Sequence, residues 1–124
     1  MSLHPELLEQ ISRDFGERFR TPARLTQDAL IVELDNGVEL TVRYAAADAY
    51  SLWWRFAVDS SDVELGIDTA PLHPALATRP NHLHLADGRV VADPLTRLDR
   101  SPLENVGAVL GAVLVSPMLT GGPA

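Results

Sequence analysis

The stretch "ALIVELDNGVELTVRY" constrains the fold most, because apolar and polar residues alternate on both sides of Asp-Asn-Gly. Such alternation predicts a strand with one buried face, and Asp-Asn-Gly predicts a tight turn between two strands. A two-residue Asn-Gly loop would place Leu34 opposite Glu39 and mix the two faces. A three-residue loop over 35–37, with Gly37 in the left-handed region, instead pairs Leu34 with Val38 and keeps the apolar side chains together. We therefore predict an antiparallel hairpin in the second register.

The predicted register also fixes the remaining pairs of the hairpin. It places Val32 opposite Leu40, which extends the apolar face along both strands. It also places Glu33 opposite Glu39, a like-charge pair that costs about a few tenths of a kcal/mol unless water or an arginine compensates it. We therefore expect arginines or solvent around these two carboxylates.

The next segments extend the hairpin into a meander. "YSLWWRFAV" (50–58) places Leu52 on one face and Trp53 and Arg55 on the other, and "VELGID" (63–68) alternates in the same way. "NHLHL" and "RVVAD", on either side of Ala-Asp-Gly, predict a further short hairpin. The expected sheet is antiparallel, with five or six strands.

Two helices complete the predicted fold. Proline near its start and an apolar stripe at helical spacing predict a helix over 5–20, and the capping box "SPLE" predicts one from 101 to Val115. The fold class is therefore α+β, a meander sheet flanked by an N-terminal and a C-terminal helix. The whole chain, 1–124, is expected to form one domain, with 116–124 as a loosely packed tail.

Charge and composition narrow the range of partners. The ten basic residues are all arginine and face seventeen acids, which gives a formal net charge of -7. Such a surface repels polyanions over about 8 Å at physiological salt, which disfavours tight binding to duplex DNA. The longest apolar run, 106–115, is only half of the roughly 20 residues that span a membrane. The N-terminus lacks the pattern of a secretory signal, so we expect a cytoplasmic protein with no membrane partner.

The segment "DTAPLHPALATRPNHLH" (68–84) contains the candidate active site. It holds three of the four histidines and three of the nine prolines. If "NHLHL" is a strand, His82 and His84 project from one face, because strand side chains alternate. A tight turn through the prolines brings His73 and Asp68 over the same face. We assign catalytic roles to all four of these residues.

Two chemistries suit such a cluster. Histidines can act as general acid and base near neutral pH while Asp68 fixes a tautomer, as metal-free RNA cleavage requires. Neutral imidazoles and a carboxylate can also ligate a divalent metal for hydrolysis, and without cysteine a metal site has only such ligands. The plainest alternative is a set of surface histidines with no function. The spacing does not choose among the three, so no metal ligand and no cofactor is assigned.

The same segment resembles the signature of the TumE family, toxin components of bacterial toxin-antitoxin pairs. That signature reads roughly Arg-Tyr-Asp-Asn-Ala-Pro-His-His-Pro, a few residues, then Phe-Pro-His-His-Lys-His. The matching positions are Asp68, Ala70, Pro71, His73, Pro74, Pro80, His82 and His84. The order of helix, meander, signature and closing helix is also similar. The resemblance implies a growth-inhibiting protein that acts on RNA, as a ribonuclease-like hydrolase, and is held by an antitoxin protein.

The sequence departs from this signature at four positions where the family has an arginine, a histidine or a lysine. Gly66 stands where the family has an arginine. Without that arginine, the segment lacks the natural anchor for a phosphate group. The other departures are Leu72, Asn81 and Leu83. We expect Arg55 or Arg79 to take over the contact with substrate. Trp53, on the same strand face as Arg55, suggests a base-stacking role, although a covering helix is the more common environment for such a tryptophan.

The closing helix points to a partner. "VGAVLGAVLV" is apolar all round, and Gly107 and Gly111 each cost about 1 kcal/mol relative to alanine in a helix interior. Glycines one turn apart let another backbone approach closely, either the sheet of the same chain or a second subunit. Three functions therefore stay open: a TumE-like nuclease, a non-catalytic homodimeric interaction domain, and a small His-ligated metal-binding protein.

Overall fold

The structure is a computed structural model that describes residues 3–58, 60–70 and 80–119. Within these residues, two α-helices, one before and one after the strands in the chain, accompany a single antiparallel sheet of seven strands, whose order in space follows their order in the chain. The elements are α1 (His4–Phe15), β1 (Arg24–Leu25), β2 (Leu30–Glu33), β3 (Glu39–Ala46), β4 (Ala49–Val58), β5 (Ser61–Asp68), β6 (His82–His84), β7 (Val90–Ala92) and α2 (Pro102–Val115). The predicted α+β meander is confirmed, with seven strands in place of five or six. The additional strand is β1, which has only two residues, both exposed, and therefore no apolar alternation.

The hairpin of β2 and β3 has the predicted register. Val32 pairs with Leu40, and the N–H of Leu34 donates to the carbonyl of Val38 at 2.8 Å. Gly37 has a φ of +91°, the left-handed conformation that the three-residue loop requires and that glycine adopts without a steric penalty. The apolar residues of both strands consequently share one face.

Arginines surround the two opposed glutamates of this hairpin. Glu33 pairs with Glu39 across the strands. Arg20 and Arg24 contact Glu33 at 3.4 and 3.3 Å, and Arg55 contacts Glu39 at 3.2 Å. Each carboxylate therefore has its own counter-charge, which offsets the repulsion expected of the pair.

The sheet has one face covered by the helices and one that we call the outer face. On β4, Leu52 and Trp54 are buried in the apolar core, and Ser51, Trp53 and Arg55 lie on the outer face, as the alternation predicted. The helical members of the core are Leu7, Ile11, Val106, Val109, Leu110 and Val113. Both helices therefore pack on the same side of the sheet, and the outer face is left for polar side chains.

Helix α1 is shorter than the predicted 5–20. It ends at Phe15, and Gly16–Arg18 continues as a single 3₁₀ turn. Phe19 is extended, with φ -84° and ψ 129°, and forms a β-bridge to Leu34. Glycine is a poor helix former, and pairing with the sheet gives the following backbone groups partners outside the helix. The edge of the sheet thus ends the helix early.

Helix α2 begins and ends as predicted. The hydroxyl of Ser101 accepts from the N–H of Glu104 at 3.1 Å, and the carboxylate of Glu104 accepts from the N–H of Ser101 at 3.0 Å. These two hydrogen bonds form the capping box and satisfy donors that a helix start would otherwise leave unpaired. The last helical residue is Val115.

The two glycines of α2 have different surroundings. A Cβ added at Gly107 would lie 3.6 Å from the ring of Phe15 in α1, which is an ordinary contact, whereas a Cβ added at Gly111 would have no described atom within 4 Å. Gly111 is exposed, and Val115, one turn later, is 87% exposed. Packing among the described residues therefore does not require Gly111. Across the described residues, neither helix has the length and apolar character needed to cross a membrane.

Candidate functional site

Strand register brings Asp68, His82 and His84 together on the outer face. Antiparallel pairing of β5 with β6 places Asp68 opposite His82 and Gly66 opposite His84. Because residues two apart in a strand project the same way, the three side chains share one face. Oδ1 of Asp68 lies 2.9 Å from Nε2 of His82, and Oδ2 lies 3.2 Å from Nε2 of His84. One carboxylate thus contacts two imidazoles, and we call these three residues the Asp/His cluster.

The members of the cluster differ in their access to solvent. The side chain of His82 is 1% exposed, against 28% for His84 and 21% for Asp68. The two imidazole centroids lie 4.7 Å apart in an edge-to-face arrangement. A molecule that approaches from solvent therefore meets His84 and Asp68 first, and His82 lies beneath them.

Backbone groups fix the orientation of Asp68 and His82. The N–H of Ala70 donates to Oδ1 of Asp68 at 3.1 Å, and Nδ1 of His82 lies 2.9 Å from the carbonyl oxygen of Pro80. A carbonyl oxygen can only accept, so Nδ1 carries the hydrogen and Nε2 of the neutral ring keeps its lone pair. A neutral His82 would therefore present an acceptor nitrogen to the carboxylate, whereas a second ring proton would make Nε2 a donor to it.

Trp53 lies across Gly66 and against His84. Pairing of β4 with β5 places Trp53 opposite Gly66, and a Cβ added at Gly66 would lie 2.1 Å from Cδ2 of the indole. The rings of Trp53 and His84 have centroids 4.9 Å apart and planes inclined at 33°. Both described helices pack on the other face of the sheet, so neither covers this indole. Gly66, which interrupts the resemblance to TumE, is thus the residue that lets an aromatic side chain reach the cluster.

The remaining residues assigned from the sequence are not part of the described cluster. Arg55 is exposed on the outer face, two residues from Trp53 along β4, and is paired with Glu39. His73 and Arg79 fall within 71–79 and lie outside the described residues. The structure therefore brings together three of the four predicted catalytic residues and places Trp53 beside them.

Sequence reasoning missed a buried polar network next to the cluster. Nδ2 of Asn81, the residue before His82, donates to Oδ2 of Asp93 at 2.9 Å and to the carbonyl of Thr96 at 3.0 Å. Oδ2 of Asp93 also accepts from the hydroxyl of Thr96, so the hydroxyl of Tyr50, 2.7 Å from that of Thr96, is the donor in their hydrogen bond. Burial raises the pKa of Tyr50, which keeps this donor protonated.

The network joins the start of β6 to the loop between β7 and α2. The same loop lines a cleft of about 490 Å³, and Asn81 is also part of its lining. The sequence does contain a signal for the polar network. "DPLT" (93–96) is typical of a turn, because Asp and Thr side chains often form hydrogen bonds with nearby backbone groups. By holding Asn81, the network fixes the backbone on which His82 sits.

The chain matches no protein-family model, no curated protein and no solved structure. The resemblance to TumE therefore rests on the histidine- and proline-rich segment itself. What the geometry offers chemically is a carboxylate shared by two imidazoles, beside an aromatic ring on the outer face.

Proposed function

We propose that the protein is a TumE-like, toxin-type protein of the cytoplasm that cleaves RNA at the Asp/His cluster. The observation that carries this proposal is the shared carboxylate, because Asp68 contacts both His82 and His84. Histidine exchanges protons near neutral pH, and a carboxylate partner orients the ring and stabilises its charged form. Cleavage of a phosphodiester bond needs such groups, since the attacking oxygen loses a proton and the leaving oxygen gains one.

Two routes to this proton transfer fit the residue types present. An imidazole can take the proton from the attacking oxygen itself, or a metal ion can acidify an attacking water. In both routes His84 and Asp68 are the members of the described cluster within reach of substrate, because their side chains are 28% and 21% exposed. His82 lies beneath them and holds the carboxylate in place.

Trp53 supports a single-stranded substrate. Its ring is partly exposed beside His84, and stacking on an aromatic side chain stabilises a nucleic-acid base by about 1–3 kcal/mol regardless of its identity. The net charge of -7 disfavours a long track of phosphate contacts. Arg55, two residues along the same face, can contact one phosphate if it leaves Glu39, and exposed ion pairs of this kind contribute only about 0–1 kcal/mol.

Bacterial expression tests the proposal. The wild type, His84→Ala and Asp68→Asn are induced in separate strains, and growth and the integrity of total RNA are followed. We expect the wild type to stop growth and degrade RNA, and both variants to lose these effects because each removes one member of the shared contact. Circular dichroism of the purified variants establishes that they are folded.

Glu64→Gln is the matched control, because Glu64 is an exposed carboxylate on the same face of β5, opposite Arg55 rather than the histidines. We expect it to behave as the wild type. Equal growth and equally intact RNA in all four strains would contradict the proposal.

The exposed end of α2 favours a second function, as an interface with another copy of the chain. Val115 is 87% exposed, and the neighbouring Gly111 has open space around it. Exposed apolar surface and a small residue that lets backbones approach are features of contacts between subunits. A homodimer formed here would leave the outer face open for RNA and for an antitoxin protein.

Light scattering during size-exclusion chromatography tests this interface. We expect a homodimer for the wild type and a monomer for Val115→Glu, which places a charge in the apolar contact. A wild type that stays monomeric at the highest soluble concentration would contradict it.

A further inference from the structure

We propose that Asp68, His82 and His84 bind one divalent metal ion of the kind that imidazole and carboxylate ligands favour, with zinc as the first candidate. The binding site does not depend on RNA as the substrate. Only its role in activating the attacking oxygen rests on the proposed function.

The first argument is the tautomer of His82. Its Nδ1 donates to the carbonyl of Pro80, so Nε2 of the neutral ring has no hydrogen, and it lies 2.9 Å from Oδ1 of Asp68. An ionised carboxylate has no hydrogen either, so two lone pairs face each other at hydrogen-bond distance. A cation bound by both atoms turns this repulsion into attraction. A second proton on the ring is the competing explanation, and it predicts no metal binding.

The second argument is the spacing of the donor atoms. One donor atom from each of Asp68, His82 and His84 lies within 4.8 Å of the others. Two ligands of one zinc ion, each about 2.0–2.1 Å from it, can be at most about 4.2 Å apart, so small side-chain rotations close the set around an ion. Three protein ligands leave a fourth position for water or substrate, which is the arrangement of catalytic zinc sites.

The third argument is the set of groups that hold the ligands. A histidine that binds a metal through Nε2 usually donates its other N–H to a carbonyl or carboxylate, as His82 does to Pro80. Oδ1 of Asp68 accepts from the N–H of Ala70, and Asn81 fixes the backbone next to His82 through Asp93. The ligands are thus oriented before an ion arrives, which reduces the ordering cost of binding.

Cobalt binding tests the site directly. The purified chain is freed of metal with a chelator and titrated with Co²⁺, while visible absorption and calorimetry report the coordination and the stoichiometry. We expect one Co²⁺ per chain, displaced by zinc, for the wild type and for the control Glu64→Gln. Asp68→Asn and His84→Gln each lose a ligand, so we expect their affinity to fall by more than the roughly 10–100-fold that loss of an outer-shell partner costs.

Thermal unfolding detects metal binding without any measurement of activity. Zinc raises the melting temperature of a protein whose folded state binds it, so we expect a rise for the wild type and Glu64→Gln and a smaller one for Asp68→Asn and His84→Gln. Wild-type protein that binds no Co²⁺, or that binds it no better than the two ligand variants, would overturn the inference.

The outcomes for metal and for RNA are distinguishable. RNA cleavage that survives chelation in a chain that binds no Co²⁺ would overturn the metal site and leave the proposed function standing. A bound ion in a chain that cleaves no RNA with or without zinc would overturn the proposed function and leave the metal site standing. Cleavage lost on chelation and restored by zinc would support both.

Discussion

Gly66 determines which chemical groups surround the histidines. At this position the TumE signature has an arginine, which would offer a cation to a phosphate group. The absence of a side chain here lets the Trp53 indole cross the strand and contact His84. Where that signature would offer a charged group, this chain presents an aromatic ring, the kind of surface on which bases rather than phosphates stack.

Gly66→Ala should disrupt this arrangement. The new methyl group would overlap the indole of Trp53 at 2.1 Å, so the indole must move and lose its contact with His84. We expect a loss of about 1–3 kcal/mol in the free energy of unfolding, the usual cost of overpacking, and a changed chemical shift for the indole N–H of Trp53. Urea unfolding and proton–nitrogen NMR measure the two effects.

Gly16→Ala is the control for this variant. A Cβ at Gly16 meets nothing within 4 Å, and the residue has right-handed helical angles, so alanine should leave stability unchanged or raise it slightly. An unmoved Trp53 signal in Gly66→Ala would show that the indole does not lie across the glycine.

A spacing of two in a strand was sufficient to predict His82 and His84 on one face. The sequence also placed Asp68 over that face, by a turn through the prolines, and the structure brings it there by pairing β5 with β6. The sequence could not place Trp53 against His84. That contact depends on the registers of two separate strand pairs, β4 with β5 and β5 with β6, neither of which is fixed by a local pattern. The tautomer of His82 was equally hidden, since it depends on the carbonyl of Pro80.

At the scale of elements, prediction succeeded where a turn or cap has a local cause. Gly37 fixes the loop of the β2–β3 hairpin, and Ser101 with Glu104 fixes the start of α2. Prediction failed where the bounds of an element depend on residues that are distant in the sequence. The end of α1 depends on the pairing of Phe19 with Leu34, and β1 forms only because β2 offers it an edge.

The capping box of α2 should make part of the stability depend on pH. The N–H and hydroxyl of Ser101 hold the pKa of Glu104 below its ordinary value of 4.5. Because the pKa is lower in the folded than in the unfolded chain, this stabilisation is complete above 4.5 and is lost as the pH falls through the folded pKa. Glu104→Gln keeps an acceptor at this position but does not titrate.

We therefore expect the free energies of unfolding of the wild type and Glu104→Gln to differ by a constant amount above pH 4.5. At lower pH we expect the wild type to lose stability relative to Glu104→Gln. Urea unfolding over a pH series measures it, and all other carboxylates titrate alike in the two proteins. A difference that stays constant down to the acid transition would contradict the role of Glu104 in the cap.

At the scale of the molecule, the two faces of the sheet carry different kinds of residues. Apolar residues and both helices occupy the core face, where they stabilise the fold. The outer face carries the Asp/His cluster, Trp53 and the paired charges of Glu33 and Glu39. Substitutions of exposed side chains on the outer face should therefore leave the core contacts in place.

Amide exchange should show how stability is distributed across the sheet. Strand β4 pairs along most of its length with β3 and β5, whereas β1 and β7 are edge strands of two and three residues. We expect the slowest exchange in β4 and fast exchange in β1 and β7, because edge pairs open without global unfolding. Exchange in β7 as slow as in β4, measured by NMR, would contradict this distribution.

The order of the strands also bears on how the chain acquires its fold. Each strand pairs with its neighbour in sequence, so the sheet can grow hairpin by hairpin with small loop-closure costs. Helix α2 is the last element of the described residues, and its Gly107 lies near the ring of Phe15 in α1. During synthesis on the ribosome, the part of the apolar sheet face that α2 covers would stay exposed to solvent until α2 emerged. A nascent chain would most need a chaperone during that time.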